Sequence, residues 1–383
     1  MTNDGMKRSR RFALLVLLLL PGPSPGRAQP AIPWTRPDSS VNSNYPNVLE
    51  QWRFDARQPM AASPAVAAGR VFAGDASGKM RALSLRNGAL QWEFTAAGPI
   101  TSTPEADERE VVFASADGSL YALNPSSGKK LWQFAADQPV TASPCVTNNM
   151  VYCGAGDGKL RALGLEDGKL AWQFSGPGGA VESRPLVCNG RVIFSAADGC
   201  LYAVDEATGL FLWQWKSAAD TARSLAAVCL VAPNPKLFLV APDRLLAALD
   251  PAAGNELWRT NAWQLSRSIG LAEDGSRLYA RTATHSVILA FATAADHARK
   301  LWEVDASLGD DTNSAMLAER QGVLYYGSSR GLLLAIDPRS GTLLWEHQLG
   351  PAPLHTVVPL EDANEVVVSD AEGRVTRVGP RQH

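Results

Sequence analysis

Cysteine is scarce in this chain, with five among 383 residues, and no two of them form a C-x-x-C pair. That excludes a zinc ribbon or a thioredoxin-like site. The odd count leaves at least one thiol unpaired in a monomer. Cys145 and Cys153 flank an expected turn at Asn148-Asn149, and both a bridge across it and two buried free thiols are open readings; Cys188, Cys200 and Cys229 have no such neighbour. An excess of positive charge is also missing: 36 Lys and Arg stand against 38 Asp and Glu. That balance argues against nucleic acid, whose phosphates need a basic surface. Long hydrophobic runs are absent too. The longest, "FALLVLLLL" from Phe12 to Leu20, falls well short of the roughly twenty residues a transmembrane helix needs.

That run follows Lys7, Arg8, Arg10 and Arg11 and precedes the small residues of "GRA", Gly26 to Ala28. Residues 1–28 therefore read as a secretory signal peptide and 29–48 as a linker. Arg10-Arg11 weakly resembles a twin-arginine signal, but basic residues before an apolar core are also ordinary features of general secretion, which is the route expected here. Met6 is an alternative start. The first cysteine is Cys145, so no lipid anchor is evident at the end of the leader. Removing residues 1–28, which hold five Lys/Arg and one Asp, takes the formal charge from −2 to −6. The expected location is periplasmic or secreted.

What the chain has in plenty is turn formers, 32 Gly and 25 Pro, and a periodic tryptophan. Trp52, Trp92, Trp132, Trp172, Trp213, Trp258, Trp302 and Trp345 are separated by 40, 40, 40, 41, 45, 44 and 43 residues. Such a period signals a repeat architecture. Each clear unit opens with "SPAV", "TPEA", "SPCV" or "RPLV" and continues with "VFAG", "VVFAS", "VYCG" or "VIFS". After a Gly-containing turn comes "MRALSL", "LYALNP", "LRALGL" or "LYAVDE", then a second turn and the Trp segment. Runs of four to six residues broken by Gly, Asn and Asp leave no room for helices, and four such runs make an antiparallel meander. Four-stranded sheets repeated at this period pack radially into an all-β β-propeller.

Eight sets of the first three strands begin near Ser63, Thr103, Ser143, Arg184, Leu225, Ser268, Ser314 and Thr356. Eight Trp segments exist as well, but the first, "LEQWRF" from Leu49 to Phe54, precedes every set, and the last set lacks one. The N-terminal strand should therefore complete the eighth blade of a propeller spanning 49–380. The later blades drift: "THSVILAFATAADHARKLW" has lost both turn glycines, which reads as relaxed constraint or as a specialised face.

The phrase "DG.LYAL....G..LW.F", best kept at Asp117 to Trp132, Asp157 to Trp172, Asp198 to Trp213 and Arg330 to Trp345, resembles the repeat of the pyrroloquinoline-quinone-type propellers, from about residue 49 to 379. One branch, the quinoprotein dehydrogenases, carries large insertions holding quinone, calcium and a catalytic Asp. This chain has almost nothing beyond its blades, no adjacent cysteine pair, and no calcium-binding Glu, Asn and Asp set that maps onto it. The other branch comprises periplasmic propeller subunits of the outer-membrane β-barrel assembly machinery, scaffolds that bind other proteins. Their length, blade count and export signal are similar to those here, though the lipid-attachment cysteine is missing. The resemblance implies a non-enzymatic scaffold with envelope proteins as partners and no cofactor. A quinone-dependent or small-ligand-binding propeller is the alternative.

A tryptophan at the same place in every blade is expected to pack blade against blade, and the Asp of each "DG" to bond its own turn. Candidate partner-binding residues lie where the repeat breaks. Arg184 stands where other units have Ser63, Thr103 or Ser143, so a charge replaces a small polar group near the central channel and suits a carboxylate. Arg223 lies in the loop before the fifth inner strand, and Asp310 and Asp311 in "GDDTNS" offer oxygens at the same face. The histidines show no H-E-x-x-H spacing.

Overall fold

A computed structural model describes residues 48–60, 62–216, 235–241, 243–306, 308, 311, 317–361 and 364–380, together with the backbone of 226–230. The described residues all fall within one compact unit. Its described residues hold eight four-stranded antiparallel sheets and no helix. Blades 1 to 7 cover 65–95, 105–135, 145–174, 186–216, 226–260, 265–305 and 318–348, each a meander in chain order. Blade 8 is made by residues 354–380 and closed by the N-terminal strand Val48–Asp55, which pairs antiparallel with Arg374–Pro380. The joint anticipated from the count of tryptophans is thus present. Blade 6 starts earlier than its sequence suggested, at Leu265, because its inner strand continues through a bulge to Leu271.

The second and third strands of each blade are buried almost throughout, since neighbouring sheets cover both faces. This is why they read as apolar runs rather than as alternations. The outer strands alternate, with Trp turned inward and its neighbours exposed. Directly opposite each Trp on the third strand of blades 1 to 7 lies an alanine: Ala82, Ala122, Ala162, Ala203, Ala248, Ala290 and Ala335. The "YAL" and "RAL" phrases therefore keep a small residue where the indole needs space.

The indoles of Trp52, Trp92, Trp132, Trp172, Trp213 and Trp302 then reach the turn between third and fourth strands of the next blade, whereas Trp345 donates to the Asn364 side chain between the first and second strands of blade 8. Nε1 of Trp92 donates to the carbonyl of Pro125 at 2.9 Å, Trp132 to Leu165 at 2.6 Å and Trp172 to Glu206 at 3.0 Å. Glycine is required in that turn: Gly168 has φ +66°, and a Cβ there would sit 2.6 Å from the Trp132 ring. Blade 6, which lost this glycine, solves the turn differently. Lys236 caps the carbonyls of Thr293, Ala294 and Ala295, and the indole N–H of Trp258 has no partner among the described residues.

The hairpin at Asn148 and Asn149 takes positive φ at both residues (50° and 61°), the two-residue turn that matches strand twist. It sets Cys145 opposite Tyr152, so Cys153 points to the other face. Cys145, Cys153, Cys188 and Cys200 are free thiols, and of the two readings for the first pair the structure selects the buried thiols. Cys229 lies outside the residues with described side chains.

Candidate protein-interaction site

The first strands of the blades form the innermost ring, and neighbouring ones touch at blades 1 and 2, 3 and 4, 5 and 6, 6 and 7, and 7 and 8. The small polar residue entering them ties blades together: the Thr103 amide donates to the Ser143 hydroxyl at 2.9 Å. Arg184 departs from this pattern. Its half-exposed guanidinium reaches past blade 3 and pairs with the Glu105 carboxylate of blade 2. Burial pushes the Glu105 carboxyl above its usual range, and the adjacent arginine only partly offsets that. Between them stands Cys145, whose buried thiol is also pushed up. A cation facing the interior of the ring, satisfied by a single carboxylate and still half in water, retains donors for a second acid.

Asp311 is placed differently. It is buried, its carboxylate accepting from the Tyr326 hydroxyl at 2.8 Å and from the Ser329 amide at 3.0 Å. The Arg281 guanidinium, stacked 5.8 Å from the Tyr326 ring, donates to the Asp311 carbonyl. These bonds hold the loop entering blade 7 against the turn between that blade's second and third strands. Arg223 and Asp310 lie outside the described residues. Of the described candidates, Asp311 is therefore held apart from Arg184 by its own partners, and what the structure brings to Arg184 is Glu105, which sequence reading missed. The signal was visible, because Glu105 is the charged residue where blades 1, 3 and 4 have Ala65, Cys145 and Leu186.

The turn aspartates are occupied locally. Asp117 and Asp198 accept from the hydroxyls of Tyr121 and Tyr202, at 2.7 and 2.5 Å, and Asp157 pairs with Arg161. Burial raises the Asp157 carboxyl, but the Arg161 and Lys159 bonds outweigh it and the group titrates below the usual range. One stretch, Gly327 to Gly331, reads G-S-S-R-G, the spacing of a hydrolase nucleophile elbow. That elbow needs a strand-to-helix turn. Here the segment links two strands, and the Ser329 amide is spent on Asp311.

Among the described residues no three His, Cys, Asp or Glu side chains converge to hold a metal ion. Among the described residues no helix is long and apolar enough to cross a membrane.

Comparison with known proteins places these features. The crystal structure of BamB from Moraxella catarrhalis superposes with a TM-score of 0.69 at 19% identity, covering 88% of this chain and 98% of that one. The computationally designed protein Ika8 gives 0.73 at 18% identity, covering 87% and 99%. A quinohemoprotein alcohol dehydrogenase, ADHIIG from Pseudomonas putida HK5, gives 0.68 at 14% identity, covering 87% of this chain and 76% of that one. At such identities these likenesses are of fold. No curated protein sequence matches the chain. The model of one family, the outer membrane protein assembly factor BamB, matches residues 49–173, 122–232 and 214–381, which together span every blade, and the chain belongs to that family.

Proposed function

We propose that this protein is an exported, non-enzymatic scaffold of the cell envelope that binds other proteins during outer-membrane protein assembly, with Arg184 as one docking residue. The observation that carries the reading is the family match along the whole ring. The N-terminal basic and apolar run of residues 7–20 supports export. Arg184 supports docking, because it is the position where a repeated small polar residue gives way to a half-exposed cation. A partner acid would take the donors that Glu105 leaves open, adding a second charge-assisted bond to the same guanidinium.

Crosslinked cells are expected to yield envelope proteins on purification of this chain, and Arg184→Glu to weaken their capture several-fold while the protein stays folded. Recovery as a free monomer under mild extraction, with nothing enriched, would sink the scaffold reading. The fold likeness to the alcohol dehydrogenase motivates the control. Incubation with pyrroloquinoline quinone and calcium is expected to leave no bound chromophore and no dye-linked alcohol oxidation.

A further inference from the structure

The inner strand of blade 2, Glu105–Ala106, is two residues long. Between it and blade 3 lies a cleft of about 180 Å³. Glu105 to Asp107, Arg109 and Glu110 line it from blade 2, and Val146 to Asn149 from blade 3, with the buried Val112 and Leu165 completing it. Sites for drug-sized molecules run to roughly 300–1,000 Å³. This cleft has room for one side chain.

Its charges are unbalanced in a particular way. Glu105 is matched by Arg184. Asp107 is matched by Arg109 and also accepts the amides of Arg109 and Glu110 at 2.7 and 2.9 Å. Glu110 has no ion pair of its own, since Arg109, whose charge also reaches it, is paired with Asp107. Its Oε2 is buried without a hydrogen-bond partner among the described residues, and the neighbouring indole of Trp132 gives its N–H to the Leu165 carbonyl instead. A buried acceptor left unpaired is costly. The repeat shows that this charge belongs to blade 2: the residue opening the second strand is Arg70 in blade 1, Met150 in blade 3 and Arg191 in blade 4. Two acids, Glu105 and Glu110, have thus replaced apolar or cationic residues on the blade 2 side of one cleft that also offers apolar wall.

We propose that this cleft binds a single basic side chain, a lysine or arginine on an extended segment of a partner protein. The aliphatic stem lies against Val112, Val146 and Leu165, and the cationic head meets Glu110 beside Glu105. Long basic side chains suit such a site because they bury a methylene stem while keeping the charge at a polar end. The inference rests on the scaffold reading and names the chemistry of its partner.

The test uses N-acetyl-lysine methylamide and its norleucine counterpart, titrated into the full chain and followed by amide NMR shifts of Val112, Val146 and Leu165. The lysine probe is expected to bind in the millimolar range and to weaken as salt rises. At least ten-fold weaker binding is expected for norleucine, and for the lysine probe on Glu110→Gln. Glu110→Arg, which restores the residue of blades 1 and 4, should fold and lose the probe altogether. Equal binding of norleucine, undiminished lysine binding by Glu110→Gln, or no shift at the three reporter residues at any soluble concentration would each overturn the proposal. Capture of envelope proteins is read separately on Arg184→Glu, so a failed cleft and a failed scaffold give different results.

Discussion

A single residue pair carries the junction between blades. Trp132 sits on Gly168 of the following blade, and the indole N–H closes on the Leu165 carbonyl at 2.6 Å. Truncating the indole removes the packing and leaves that carbonyl unmatched, so Trp132→Ala is expected to cost about 3–5 kcal/mol. Gly168→Ala adds a Cβ at positive φ against the ring, a strain on the order of 1–3 kcal/mol. Because both changes act on one contact, the double variant should lose less than the sum of the two. Urea unfolding measures this; strict additivity would show that the glycine is needed for its backbone angle alone. Glu110 gives the residue scale a pH dependence. Burial, reinforced by Asp107 and Glu166 and only partly offset by the Trp132 indole and Arg109, holds its carboxyl above the ordinary value. A raised carboxylate contributes stability that is fully present below the unfolded value of about 4.3 and is lost as pH rises through the folded one. Glu110→Gln is therefore expected to raise the melting temperature at pH 7 and to give no advantage near pH 4. A variant equally stable with wild type at both values would remove the burial argument.

At the scale of the strand, the sequence made some things plain and hid others for a physical reason. Strand identity was legible because "VFAG", "LYAL" and "KLWQF" recur with turn formers between them, and repetition averages out the noise of any one segment. The bulge just before every Trp was not. In each outer strand one residue drops out of register, Gln51, Gln91, Leu131, Ala171, Leu212, Leu257, Leu301 or Leu344. A bulge makes the exposed edge a poor template for another chain, and nothing in local composition announces it. The face of a cysteine was hidden likewise, because a one-residue change of register moves a side chain across the sheet. Arg184 was legible as a break in the pattern, whereas its partner Glu105 depends on how blades 2 to 4 curve around the ring. Oxidation of the native protein followed by peptide mass spectrometry is expected to show no Cys145–Cys153 bridge. Finding that bridge in protein that still melts cooperatively would contradict the register at Cys145 and Tyr152.

For the whole molecule, everything depends on the seam in blade 8. There the third strand carries Arg377 where the other blades carry alanine opposite Trp. Arg377 is buried, pairs with Glu365 and donates to the Leu85 carbonyl at 3.0 Å. The same carbonyl accepts the Trp52 indole at 2.8 Å. One turn of blade 1 thus holds the N-terminal strand and the C-terminal strand together. Without Val48–Asp55 the strand Arg374–Pro380 becomes an open edge, Leu85 loses its indole, and Arg377 is left at a half-built interface. Glu365 also loses the amide of Gln51, a buried acceptor left short of a donor is costly, and an unpaired apolar edge recruits other chains. A chain beginning at Arg57 should therefore melt well below the full protein and self-associate by light scattering. A synthetic peptide covering residues 46–57, added in excess, is expected to restore a monomer and raise the melting temperature with concentration, as a ligand that binds only the folded state must. If the shortened chain melts with the intact one, the seam contributes nothing and the ring is held by the tryptophan contacts alone.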